Sequence, residues 1–147
     1  MKYLLTIILV AVTLVGGWFY YQKMQAPDPG TVKLYFYDGG DANGGYKVTT
    51  QEVPPSPHLE DVAIRALIDV ELDHLFPSIE DDFLGVTIEN GVAMVNFKKA
   101  QDQLYLTGVP GYTGVVTNSI TKTLMQFPTI KKVQFAIDGK VITEWDA

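Results

Sequence analysis

The chain has 147 residues, 47% of them apolar, no cysteine, and eleven basic against seventeen acidic side chains for a net charge of −6. That length closes one sizeable core and hardly two, and the lack of cysteine excludes disulfides, thiolate metal sites, thiol nucleophiles and a lipid-bearing cysteine. The charge is spread without a basic cluster, which argues against nucleic acid, because phosphate neutralisation needs a concentrated positive face.

From Leu4 to Tyr21 the chain reads LLTIILVAVTLVGGWFYY without a charge, with Lys2 and Lys23 outside the run and Trp18, Phe19, Tyr20 and Tyr21 gathered at one end. As a helix this run is about 27 Å long, close to the hydrocarbon core of a bilayer, and the aromatics stand where an interfacial belt would. Residues 1–23 are therefore expected to form one N-terminal transmembrane anchor, with residues 4–21 in the membrane. A cleaved secretory signal is the alternative, with Val15-Gly16-Gly17 as its small-residue site. The weak charge bias favours a single-pass arrangement with the C-terminal domain outside the cell membrane, or a secreted domain if the segment is cleaved. Without residues 1–23 the chain keeps nine basic and seventeen acidic side chains, a net of −8. Such a domain is held off an anionic surface rather than drawn to it. Residues 24–30, ending in Ala26-Pro27-Asp28-Pro29-Gly30, read as a short, stiff linker to a domain over 31–147.

Strict alternation begins at Thr31. In TVKLYFYD, Val32, Leu34 and Phe36 share one face and Lys33, Tyr35 and Tyr37 the other, the period of a half-buried strand. DGGDANGG makes a turn, and Tyr46 to Val53 returns as a second strand until Pro54-Pro55. Asp41, Asn43 and Gly44 are similar to part of a calcium loop. Aligning Gly44 with that loop's glycine puts Gly39 and Thr50 where carboxylates are needed, so a solvated turn is expected.

Ser56 is expected to cap a helix that has Pro57 at its first position and Glu60 and Asp61 in its first turn. Leu59, Val62, Ala63, Ala66, Leu67 and Val70 then recur at helical spacing for about four to five turns, until Phe76-Pro77. His74, with Asp69, Glu71 and Asp73, is the best metal or acid-base candidate by composition. Acids at that spacing point around a helix instead of converging, and His58 lies at its other end, so dipole compensation is the expected role of His74. Glu80-Asp81-Asp82 reads as a solvated loop.

Asn90-Gly91 is a preferred two-residue hairpin turn. It pairs Ile88 with Ala93, Val86 with Val95 and Leu84 with Phe97 on an apolar face, and Glu89 with Val92, Thr87 with Met94 and Gly85 with Asn96 on the other. Residues 98–114 form a Gly-rich crossing that carries Tyr105 and Tyr112. Val116, Ile120, Leu124 and Phe127 restore helical spacing, with Phe127 closing the helix onto the sheet and Pro128 stopping it. Val133, Phe135 and Ile137 provide the buried face of a strand, Asp138-Gly139 turns it, and Val141 to Trp145 returns. The order strand, strand, helix, hairpin, helix, hairpin predicts an α+β domain: a largely antiparallel sheet with two helices packed on one face.

TVKLYFYD, the helix containing ALI, the ENGVAMVNF hairpin and TLMQFPTIKKVQFAIDGK together resemble the GerMN domain family, over residues 31–145 and in the family's order. The last stretch matches the family's recurring Thr-Leu, Gln-Phe-Pro, Val and Asp-Gly pattern. The chain departs from it after the first helix, where the family commonly has a Gly-Pro pair and Ile68 is here followed by Asp69-Val70. The resemblance implies an exported, envelope-borne domain linked to sporulation- or germination-type processes, without established catalysis.

The residues themselves point the same way. No carboxylate pair is placed at the roughly 5 to 9.5 Å that a glycan hydrolase needs, and Ser56, Ser78 and Ser119 lack a nucleophile-elbow pattern. A non-enzymatic module without metal or cofactor, contacting envelope proteins or peptidoglycan, is therefore expected, with a peptidoglycan-acting hydrolase as the alternative. Tyr105 and Tyr112 are the candidate contacts for sugar rings or a protein partner; otherwise they cover the edge of the core.

Overall fold

The computed structural model describes residues 30–39, 44–98 and 114–142. The candidate anchor, most of the linker, Asp41, Asn43, Tyr105, Tyr112 and Trp145 lie outside these residues.

Strand β1 (Gly30–Tyr37) pairs antiparallel with β2 (Tyr46–Val53), with Gly30 opposite Val53 and Tyr37 opposite Tyr46. Its alternation works as the sequence predicts: Val32 and Leu34 are buried and Lys33 is exposed. Helix α1 (Leu59–Leu67) continues into a π-helical turn over Ile68–Leu72. A single turn, α2 (Ile79–Asp82), leads into the hairpin of β3 (Phe83–Glu89) and β4 (Val92–Phe97). Helix α3 (Val115–Leu124) is followed by β5 (Lys132–Ile137) and the two-residue β6 (Lys140–Val141).

The α+β class stands, but the strands form two sheets instead of one. The first is β1–β2; the second runs β3–β4–β5–β6, and β4 and β5 are parallel. The parallel pair arises because α3 lies in the connection from β4 to β5 and carries the chain back to its starting edge, as parallel strands require. Helix α1 packs against β1, β2, β3 and α3, so it links the two sheets instead of lying on one face of a single sheet. The core beneath it holds Leu34, Ile64, Leu67, Ile68, Leu72, Phe97, Ile120 and Leu124, all fully buried.

Local differences from the sequence reading have local causes. Helix α1 starts at Leu59 with His58 in the N-cap position, and the Ser56 hydroxyl accepts the His58 N–H at 3.0 Å. Ser56 thus folds the lead-in turn instead of capping the helix. The buried side of α1 is Ala63, Ile64 and Leu67, a stripe centred on Ile64, with Leu59, Val62, Ala66 and Val70 at its margins. In the π turn the Asp73 N–H donates to the Ile68 carbonyl at 2.8 Å, which buries Leu72 and leaves Glu71 to grip Lys47 of β2. Asp69-Val70 falls inside this helical stretch, where a proline would lack the backbone N–H and clash with the preceding turn.

In the β3–β4 hairpin Ile88, Val86, Glu89, Thr87 and Gly85 take the predicted partners, with Asn90 and Gly91 both at positive φ. The register shifts between Phe83 and Gly85, so Phe83 and not Leu84 stands opposite Phe97. Their rings meet edge to face at 5.6 Å. Leu84 is left 49% exposed and Ile88 37% on β3, which among the described residues is an edge strand of its sheet. Asp82 is buried where a solvated acid was expected: its carboxylate lies 3.5 Å from Lys98 Nζ, and its carbonyl accepts the Lys98 N–H. In β5, Phe135 is buried with its neighbour Ala136, while Val133 and Ile137 are half-buried, since both faces of the strand are partly covered. Helix α3 ends at Leu124, and Phe127 sits half-buried in the turn that follows, packed on the rim of the core.

Candidate functional site

The outer face of β1–β2 is held in place by an arrangement on α3. Ser119, Thr123 and Gln126 recur at spacings of four and three, which puts them on one side of that helix and the turn that ends it. The Tyr37 N–H donates to Ser119 Oγ at 2.7 Å, the Tyr35 N–H to Thr123 Oγ1 at 3.0 Å and the Lys33 N–H to Gln126 Oε1 at 2.9 Å. Gln126 Nε2 returns a bond to the Lys33 carbonyl at 2.8 Å, so its amide mimics a neighbouring strand. The match is metric: two strand residues advance about 6.6 Å and four helix residues about 6 Å. Helix side chains thereby satisfy the free edge of β1, and among the described residues no further strand adds there.

With β1 fixed at its edge, alternation directs Lys33, Tyr35 and Tyr37 to the face opposite the core. Tyr46 stands directly across from Tyr37 and Val48 across from Tyr35. Residues opposite one another share a face. The Tyr37 and Tyr46 rings meet at 5.3 Å and 61°, and those of Tyr35 and Tyr46 at 6.4 Å and 85°, both edge to face. Lys122, projecting from α3, brings its Nζ 5.8 Å from the ring centres of both Tyr35 and Tyr46. Burial, and then the neighbouring Tyr37 phenol, push the Tyr46 phenol above its usual 10.0. The result is a packed platform of half-buried tyrosines with Val48 exposed beside it. Lys33 and Lys122 give it positive charge on an acidic chain.

Tyr105 and Tyr112, the contacts predicted from sequence, lie outside the described residues. The tyrosines of this platform were not singled out from the sequence, although their signal was there: Tyr35 and Tyr37 fall on the face away from Val32 and Leu34. What alternation could not provide was Tyr46 as their cross-strand neighbour, since that needs the register. His74 is exposed after the π turn, Glu71 is taken up by Lys47, and among the described residues no three of His, Asp and Glu gather to hold a metal ion. His58 stands at the start of α1, at the far end from His74.

A family model described as Germane, sporulation and spore germination, matches residues 33–143. The chain belongs to this family. Two solved structures share the fold of this Germane domain. The first GerMN domain of the sporulation protein GerM from Bacillus subtilis is 23% identical with a TM-score of 0.58, covering 80% of this chain and 90% of that one. The tandem GerMN domains of the same protein are 22% identical with a TM-score of 0.54, covering 82% of this chain and 43% of the tandem. No curated protein sequence matches the chain. The Gln-Phe-Pro element of the resemblance has a structural role in the Germane domain: Gln126 is the residue that pairs with the β1 backbone.

Proposed function

We propose that this Germane domain is a non-enzymatic binding module of the cell envelope with a sporulation-associated role. In this reading it is anchored through residues 4–21, lies outside the cell membrane, and contacts peptidoglycan glycan through the outer face of β1–β2. The observation that carries the reading is the platform of Tyr35, Tyr37 and Tyr46 with Lys122 held against two of its rings. Tyrosines supply rigid contact area at a low cost in side-chain entropy, with an apolar ring for the faces of sugars and a hydroxyl for their polar edges. Lys33 and Lys122 enter no ion pair among the described residues. They remain available to the carboxylates of a wall polymer. The apolar run and the aromatic cluster that follows it support the anchor, and the family description supports the sporulation-associated role.

The test is co-sedimentation of the full chain, in mild detergent, with insoluble peptidoglycan, alongside a turbidity assay of wall lysis. Retention without lysis is expected, and a Tyr35→Ala/Tyr46→Ala variant with an unchanged circular dichroism spectrum should bind about tenfold more weakly, or ~1.4 kcal/mol. Lysis that one Asp or Glu substitution abolishes would overturn the non-enzymatic reading. Undiminished retention of the double variant would overturn the face.

A further inference from the structure

A second surface of the domain is the open edge of β3. In the second sheet β3 pairs only with β4, and among the described residues no strand lies along its other side. Glu89 and Val92 flank the two-residue turn and form a hydrogen-bonded pair. By alternation the backbone groups of Val86 and Ile88 then point away from β4. The Val86 N–H does so and donates to Asp61 Oδ1 at 2.9 Å, and Asp61 is fixed in turn by Arg65 Nε on Oδ2 at 2.9 Å. Ile88, two residues on, presents its N–H and carbonyl beside a groove of 420 Å³ between the start of α1 and β3. His58, Glu60 and Asp61 line one wall; Val86, Ile88 and Glu89 line the other. An adjoining hollow of 380 Å³ shares His58, Asp61 and Val86 and continues to Leu84. The groove therefore follows the strand from Ile88 to Leu84, about 13 Å at strand rise and enough for four or five extended residues. Partly exposed Leu84 and Ile88 mark its two ends.

The charge selects the occupant. Arg65 already holds Asp61. Glu60 and Glu89, on opposite walls, enter no ion pair among the described residues. We infer that the β3 edge binds a cationic, extended peptide segment of a protein partner by strand addition, with its backbone pairing to Ile88 and its basic side chains reaching Glu60 and Glu89. Main-chain pairing supplies affinity in this mode, and the flanking side chains supply selectivity. Asp61 occupies the Val86 donor and so restricts pairing to the outer half of the strand. A second copy of the chain fits less well, since the chain's net charge is negative and the groove wall already carries Glu60 and Glu89.

The experiment is fluorescence anisotropy of the full chain in mild detergent with a labelled Lys-Val-Lys-Val-Lys-Val peptide, its Glu-Val counterpart, and the Lys-Val peptide methylated on alternate backbone nitrogens. The Lys-Val peptide should bind at least about tenfold more tightly than either control, and Glu60→Gln/Glu89→Gln should remove about tenfold of that preference. Methylation leaves the protein untouched, so loss of binding there reads strand pairing independently of any folding defect. Equal binding of the three peptides, no binding of the Lys-Val peptide, or peptide-free dimers in sedimentation that the same double substitution dissolves would each overturn the inference. Tyr35→Ala/Tyr46→Ala should leave this binding unchanged, which separates it from the tyrosine face.

Discussion

Thr123 and Ser119 are fully buried hydroxyls that satisfy the edge of β1. Thr123→Val keeps the shape but orphans the Tyr35 N–H, which should cost about 1–3 kcal/mol in urea unfolding. Equal stability of the variant would show that water replaces the hydroxyl. Burial, and then the Tyr37 phenol, hold the Tyr46 phenol above its ordinary value. A folded-state value above the ordinary 10.0 means the folded protein holds its proton longer than the unfolded chain. That contribution is present in full below pH 10.0 and is lost as pH rises through the folded value. Tyr46→Phe should therefore flatten the decline in stability above pH 10.0, as measured by denaturant melts across that window. Phe127 is half-buried and Leu124 fully buried. Phe127→Ala should therefore fall below the roughly 3–5 kcal/mol of a fully buried ring, while Leu124→Ala costs about 2–5 kcal/mol.

At the scale of elements, turn chemistry was legible and packing partners were not. Asn90-Gly91 and Asp138-Gly139 turn where sequence predicts, since both pairs adopt the positive φ that few other residues tolerate. Gly91→Ala should destabilise by about 1–2 kcal/mol, because φ is +81° and an added Cβ comes within 3.4 Å of the Thr129 carbonyl. A thermal melt unchanged from the parent chain would contradict this. The shift at Leu84 was not legible. Leu84 and Phe83 are both apolar, so the pattern allows either to face Phe97, and ring contact within the assembled sheet selects Phe83. The π turn was equally hidden, because one extra residue in a helix has no signature of its own until Leu72 and Glu71 find a core and a lysine to face. The start of α1 is hidden in the sequence for a related reason. Ser56 has the chemistry of a cap, but its hydroxyl is used by the turn ahead of the helix.

At the scale of the molecule, the proposed topology predicts accessibility. On spheroplasts the domain should be digested by added protease while residues 1–3 stay protected, as read by tags at either end; the reverse pattern would place the domain inside. Apolar periodicity and the two Gly-containing turns were enough to specify an α+β domain and the order of its elements apart from the single turn α2. Those signals act between residues near in sequence, where 2.0 and 3.6 periods and positive φ angles are imposed by the backbone itself. Only the tertiary structure decided that there are two sheets, that β4 and β5 run parallel, and that Tyr46 completes a platform with Tyr35 and Tyr37. The physical reason lies in α3. Ser119, Thr123 and Gln126 look like ordinary polar helix residues until they meet the backbone of a strand more than eighty positions away, and that meeting closes the edge of β1.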